Sequence, residues 1–260
     1  TQAHPALRSL DAFALERVLA KGANPSHLKG QLLEELVESR VVPWLGKREG
    51  GFALGVAVPA GKKLEFIPGH LIRDLSGRQV TDGVLAFRDG EKLVLVGVFE
   101  AKAGRHAARE LSFARDSISG LNQSELTELR ANARDVWREQ AAAAKAAKQP
   151  YTKSVEDVMK EYAVSERGGQ VRRDIERLAA GTGGPTRLRV GTQELVVDFS
   201  PTRTKFFGVI PKGVRSVTIE AQLAAEKVAY EILGVDLTSS QLDDIARRLV
   251  GPAERLAATP

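Results

Sequence analysis

Residues 81–102, TDGVLAFRDGEKLVLVGVFEAK, decide how this chain must fold. Two apolar runs flank Arg88-Asp89-Gly90-Glu91, and Asp-Gly between such runs is a strong hairpin signal. With simple alternation, Val84, Ala86, Val94, Val96 and Val98 share one face, and Leu85, Phe87, Leu93, Leu95 and Phe99 the other. Both faces are apolar. Such strands belong in the middle of a sheet covered by helices, which predicts an α/β sandwich and not an open meander.

The same stretch ends in charge. Glu100 and Lys102 stand two apart on a strand, so both side chains leave one face. Asp82 opens the hairpin, and register decides whether it joins them. A two-residue loop at Asp89-Gly90 pairs Arg88 with Glu91 and sends Asp82 to the face away from Glu100. A three-residue loop with a bulge at Gly90, or a bulge elsewhere in the hairpin, brings Asp82 to the face of Glu100. Converging carboxylates make a hard-oxygen site for Mg²⁺ or Mn²⁺. A lysine beside it can position or deprotonate a water and stabilise a pentavalent transition state, which is the chemistry of phosphodiester hydrolysis. Alone, Glu-x-Lys at a strand end is more often a solvated edge pair, and Asp82 before Gly83 a turn start. The combination carries the weight.

Outward from the hairpin, residues 7–21 read as an amphipathic helix with Leu7, Leu10, Phe13, Ala14, Leu15 and Val18 inward. Asn24 then caps a second helix, with Pro25 at its first position. That helix, 26–41, carries a core stripe of Leu28, Leu32, Leu33, Leu36 and Val37. GGFALGVAV (50–58) and LEFIP (64–68) read as strands. Residues 105–148 read as helical, broken near Ser119-Gly120, and the alanine-rich end REQAAAAKAAK predicts a projecting or lightly packed helix. Residues 154–180 are helical with an interruption at Gly168-Gly169. GTGGPT is a connector, because the Lys-Ser/Thr of a phosphate-binding loop does not follow. TRLRVGTQELVVDF and TKFFGVIP each read as a strand, and 219–234 and 238–257 as closing helices.

The 260 residues are 43% hydrophobic, enough for a real core. Lys and Arg number 38 against 33 acidic residues, a formal charge of +5 with a pI near 9.5. That balance favours a polyanionic partner over a merely soluble basic protein. There is no cysteine, which excludes disulfides, thiolate catalysis and Cys-ligated zinc and leaves the compartment open. No run approaches the roughly 18 apolar residues of a membrane span. TQAHPALRSL lacks the form of a signal peptide, and without an initiator methionine it reads as a piece of something longer.

Over residues 26–103 the order of helix, strands, Asp82 and then Glu100-Ala101-Lys102 resembles the PD-(D/E)XK nuclease superfamily. The resemblance implies an α/β, restriction-endonuclease-like mixed central sheet flanked by helices, with helical additions. Residues 1–25 would be an N-terminal helical extension and 26–218 the nuclease core, with inserted helices at about 105–180; 219–260 would be C-terminal helices on the same domain. It implies Asp82 and Glu100 as ligands of Mg²⁺ (or Mn²⁺), Lys102 as water-orienting and charge-stabilising, and a glutamate of the first core helix as an auxiliary carboxylate. KGQLLEEL offers Glu34 and Glu35. Glu34 is favoured because it stands four after Gly30, whose small size would let that face approach the sheet. Thr81 stands where the family has a proline.

A later helix often assists the site in that family, which points to Gln170 or Arg173 in ERGGQVRRDIERL, against an ordinary solvated face. Arg105, His106 and Arg109 would contact backbone phosphates. His70 reads as structural before it reads as a ligand. PTRTKFF (201–207) fits a nucleic-acid surface or a strand entering the core. The implied activity is metal-dependent hydrolysis of DNA with low sequence specificity, since no helix-turn-helix or zinc finger is visible. IRDLSGRQVTDGVLAF, with HLKGQLLEEL upstream, is further similar to nuclease domains at the C-termini of bacterial polymorphic toxins. That implies delivery into a target cell within a larger effector, action in the target cytoplasm and a cognate immunity protein; a plain cytoplasmic location is the alternative. The rival activities are a tRNA-cleaving RNase on the same fold and an inactive nucleic-acid-binding protein. The latter has no chemical reason to keep Asp82, Glu100 and Lys102 together.

Overall fold

A computed structural model describes residues 5–104, 107, 111, 123–162, 170–179, 186–214, 224 and 227–258. Its helices are α1 (Ala12–Leu19), α2 (Pro25–Leu36), α3 (Val42–Lys47), α4 (Gln123–Ala146), α5 (Val155–Tyr162), α6 (Gln170–Leu178) and α7 (Ser239–Ala257). The strands are β1 (Glu65–Pro68), β2 (Ile72–Arg73), β3 (Gly83–Asp89), β4 (Lys92–Ala101), β5 (Arg187–Val190), β6 (Gln193–Asp198), β7 (Lys205–Lys212) and β8 (Tyr230–Thr238). All eight strands join one mixed sheet, so the chain is α/β.

The centre of the sheet is β4, as its two apolar faces require. Along one side it pairs antiparallel with β3, which pairs antiparallel with β1. Along the other, its first residues pair parallel with β6 and its last with β7, which continues parallel to β8. One face is covered by α2 and α7 through Leu28, Leu32, Leu33, Leu242, Ile245 and Leu249. Lys29 Nζ ties these helices together, 2.7 Å from Asp243 Oδ1. The other face packs against Val171 and Leu178 of α6. Fully burying each leucine is worth about 1.5–3 kcal/mol, so the two layers clamp the sheet from both sides.

The hairpin register differs from simple alternation. Its loop is two residues, Gly90-Glu91, closed by the pair Asp89↔Lys92, with Gly90 at φ +61. Val94 and Val96 therefore lie with Leu85 and Phe87, while Leu93 and Leu95 join Val84 and Ala86. The register runs Ala86↔Leu95 and then Leu85↔Gly97, so Val96 is an extra residue in β4. That bulge reverses the alternation, because one inserted residue turns every later side chain to the other face. Val98 returns to the face of Val84. The ladder ends at Gly83↔Phe99, with Asp82 just before it in β3's approach and Glu100 just after it in β4.

Other expectations need correction. Phe13 is 72% exposed, since capping of α1 by Asp11 sets a phase that turns Ala14 and Val18 inward. Residues 50–58 form no strand: Gly50, Gly51 and Ala53 have positive φ, and Phe52, Leu54, Val56 and Val58 pack as an irregular segment. Residues 187–198 are a hairpin of two strands turning at Gly191, φ +58. Of the helix expected over 219–234, residues 230–234 belong instead to the strand Tyr230–Thr238, with Leu233, Val235 and Leu237 buried and Gly234, Asp236 and Thr238 exposed, a period of two, and most of 219–229 lies outside the described residues. The second helix ends at Leu36 and continues through a π-helical turn, Val37–Val41, into α3. The break at Ser119-Gly120, the Gly168-Gly169 pair and most of GTGGPT lie outside the described residues. The alanine-rich end of α4 is largely exposed, and α4 packs on α5 through the small cluster of Leu129, Ala133, Val158 and Met159. Among the described residues no helix is long and apolar enough to cross a membrane.

Candidate active site

The end of β4 gathers charge from three directions. Asp82 enters it at the start of β3, locked by backbone. Its N–H donates to Phe99 O at 3.1 Å, its carbonyl accepts from Gly69 N–H at 3.0 Å, and its Oδ2 accepts from Ala101 N–H at 2.7 Å. Gln79 Nε2 donates to Oδ1 at 3.4 Å. Thr81, where the resembled family has proline, is buried and donates from Oγ1 to Phe99 O at 2.7 Å. Gly69 makes the close approach possible. A methyl there would lie 2.2 Å from Thr81 O and 2.8 Å from Asp82 Cα.

Glu100 is 4% exposed. Its Oε2 lies 3.8 Å from Lys102 Nζ, and its buried Oε1 makes no hydrogen bond. From the covering helix α6 comes Asp174, fully buried, whose charge acts on Glu100. Burial first, then the charges of Asp174 and Asp82, push Glu100 well above the usual carboxylate range against the pull of Lys102.

Glu34 arrives from α2 on the opposite face. Burial first and the Asp82 charge second raise its pKa to about 7, while Lys21, a hydrogen bond with Gln79 and Lys102 pull it down. Its neighbour Glu35 is committed elsewhere, accepting from Arg17 Nε at 2.8 Å, Arg17 Nη2 at 2.7 Å and Gln31 Nε2 at 2.9 Å. So Glu34 is the helix carboxylate that faces the cluster. The reason is not Gly30, where an added Cβ would meet nothing within 4 Å.

Among the described residues no three His, Asp or Glu side chains stand close enough to share one ion as they lie. The cluster is Asp82 and Glu100 at the open end of the hairpin, Lys102 beside Glu100, and a further carboxyl from each covering helix. Arg105, His106 and Arg109 lie outside the described residues. Gln170 and Arg173 stand on α6, but their side chains lie outside the described residues too. His70 sits in the turn Gly69–Leu71, held below its usual value mainly by burial and the nearby Arg17. PTRTKFF enters the core: Phe206 and Phe207 are buried, and Lys205 Nζ pairs with Glu231 Oε2 at 2.8 Å.

Asp174 escapes a reading of the motif, yet the sequence carries a signal. It lies between Val171 and Leu178 at helical spacing, an acid on the apolar stripe of an amphipathic helix. No protein-family model matches the chain, and no curated protein or solved structure is significantly similar to it.

Proposed function

We propose that the chain is a metal-dependent nuclease that hydrolyses phosphodiester bonds in DNA with low sequence specificity, on a restriction-endonuclease-like sheet. One observation carries the reading. A buried Glu100 keeps an oxygen with no hydrogen bond, beside Lys102 and next in the chain to Ala101, whose N–H holds the backbone-locked Asp82. An orphaned, buried carboxylate oxygen is costly unless a cation or a proton answers it. The donor set is all oxygen, which suits Mg²⁺ or Mn²⁺. The order α2, β1, β3, β4, β7, with two antiparallel pairings followed by a parallel one, supports the resemblance.

Asp82 and Glu100 would hold the ion. When bound, a divalent cation neutralises phosphate charge and acidifies water. Asp82 contributes rigidity, since backbone contacts fix its position before any ligand arrives. Lys102 puts a fixed positive charge where the phosphorane-like transition state accumulates negative charge. Glu34, poised near neutrality, can accept a proton from the attacking water at physiological pH. The net charge of +5 favours approach of the polyanion. In this reading the partners are DNA and a cognate immunity protein, and the chain acts in the cytoplasm of a target cell as part of a larger effector.

The test is incubation with plasmid DNA and with total tRNA, each with Mg²⁺ and with EDTA, beside Asp82→Asn and Lys102→Ala. The expected result is Mg²⁺-dependent loss of plasmid, with each substitution lowering the rate by at least about a hundredfold. Cleavage of tRNA alone would keep the mechanism and change the substrate. Failure of folded, Mg²⁺-supplied protein to cut either polymer would refute the nuclease reading.

A further inference from the structure

The short strand β2 lies at the end of the sheet, where Arg73 stands in a row of long side chains. Arg73 pairs with Arg189 of β5 and bridges antiparallel to Gln79 on its other side. Direct partners in an antiparallel ladder send their side chains to one face. Ile72, Val80, Leu188 and Val190, each one residue along, pack into the layer under α6. Gln79, Arg73 and Arg189 therefore leave by the opposite face. Gln79 Nε2 in turn donates to Asp82 Oδ1 at 3.4 Å. The row starts at the candidate active site and carries two arginines away from it, in steps of about 5 Å per strand.

Like charges directly opposite on a sheet are destabilising. Among the described residues neither guanidinium has a hydrogen-bond or ion-pair partner. The neighbouring acids are committed elsewhere. Asp74 accepts from Ser76 Oγ at 2.6 Å and from Arg78 N–H at 2.9 Å. Glu194, directly across from Arg189, lies 2.9 Å from Arg187 Nη1. We infer that Arg73 and Arg189 form a phosphate-backbone subsite, which holds the DNA strand beside the bond presented at Asp82. The inference rests on the DNA reading of that site and deepens it by giving the strand a path over β2 and β5. A guanidinium meets a phosphate through two parallel N–H···O bonds. Such contacts carry no base information, in keeping with low sequence specificity. A structural role is a poor alternative, because two opposed, unpaired cations weaken the edge they occupy.

The experiment follows fluorescence anisotropy of a labelled short DNA duplex in EDTA across a salt series. It compares the full chain with Arg73→Gln, Arg189→Gln and Arg247→Gln, with thermal unfolding of each and plasmid cleavage in Mg²⁺ alongside. Arg247, paired with Asp244 at 2.8 Å on α7, controls for the loss of one charge. Glutamine at 73 or 189 should each weaken binding about five- to tenfold and lower the slope of log affinity against log salt by about 1. Arg73→Lys and Arg189→Lys should keep the slope, and Arg247→Gln should bind as the parent does. Without DNA, the glutamine variants should unfold no lower than the parent. Marked destabilisation of both would give the pair a structural role and overturn the inference. Parent-like binding by both, equal losses in Arg247→Gln, or no duplex binding by the parent at low salt would also overturn it. If the parent cuts plasmid while both variants bind as it does, the nuclease reading stands and this subsite falls. If the parent binds through the arginines yet cuts nothing, the subsite stands and the nuclease reading falls.

Discussion

Glu231 on β8 and Glu100 on β4 are carboxylates of the same sheet, and their surroundings drive them in opposite directions. Glu231 meets two cations: Arg48, through both guanidinium arms, and Lys205 at 2.8 Å. The Arg48 hydrogen bond, followed by that of Lys205, outweighs partial burial and brings its pKa down to about 2. Glu100 meets one lysine at 3.8 Å and two further carboxylates, and is driven well up. The first cluster is closed, with its charge already answered. The second sets Glu100 among the charges of Asp174 and Asp82 with Lys102 alongside, a setting in which a proton or a metal ion would be welcome.

Three substitutions bear on that contrast. The largest effect is expected at Glu34. Its folded-state pKa of about 7 exceeds the ordinary 4.5, so the folded state binds more protons than the unfolded one between those values. Ionising Glu34 therefore destabilises the fold as pH rises through that window. Glu34→Gln should match the parent below pH 4.5 and exceed it by about 3 kcal/mol at pH 8, measured by urea unfolding across pH. A gap that does not open with pH would place Glu34 in the closed class with Glu231.

Next is Gly69. An alanine methyl has no room against Thr81 O and must push the Asp82 backbone aside. Misplacing a catalytic group by about 1 Å costs about a hundredfold in rate, so Gly69→Ala should lose about that much plasmid cleavage while remaining folded by circular dichroism. Parent-like cleavage would mean that the tight seat of Asp82 has no bearing on the chemistry.

The smallest effect belongs to the closed cluster. A lowered carboxylate pKa gives stability that is present above pH 4.5 and lost as pH falls through about 2. These side chains are partly exposed, so Glu231→Gln should cost only about 1 kcal/mol at pH 7, with cleavage unchanged. A large loss of activity would break the division between the two clusters.

The sequence showed this contrast unevenly. The central hairpin, the Asn24 cap and the leucine stripe of α2 were readable because each rests on local spacing. The need for a bulge followed from parity alone, but its position at Val96 did not: loop length and bulge site trade against each other through packing of both faces. β8 was hidden because its alternation, Leu233-Val235-Leu237, is short and runs straight into the capped helix α7. Glu34 was preferred over Glu35 for the wrong reason. What separates them is a tertiary pairing, Arg17 with Glu35 across eighteen residues. Asp174 lay in plain view on an apolar stripe, but its meaning depends on α6 covering the face of Glu100.

The most direct measurement is thermal unfolding with and without saturating Mn²⁺ for the parent, Asp82→Asn and Glu231→Gln. Ligand at a hundred times its dissociation constant stabilises by about 2.7 kcal/mol, a rise of about 5–10 °C for a chain of this size. The account predicts that rise in the parent, its loss in Asp82→Asn, and its persistence from a slightly lower baseline in Glu231→Gln. No rise in the parent, or an equal rise in Asp82→Asn, would contradict it.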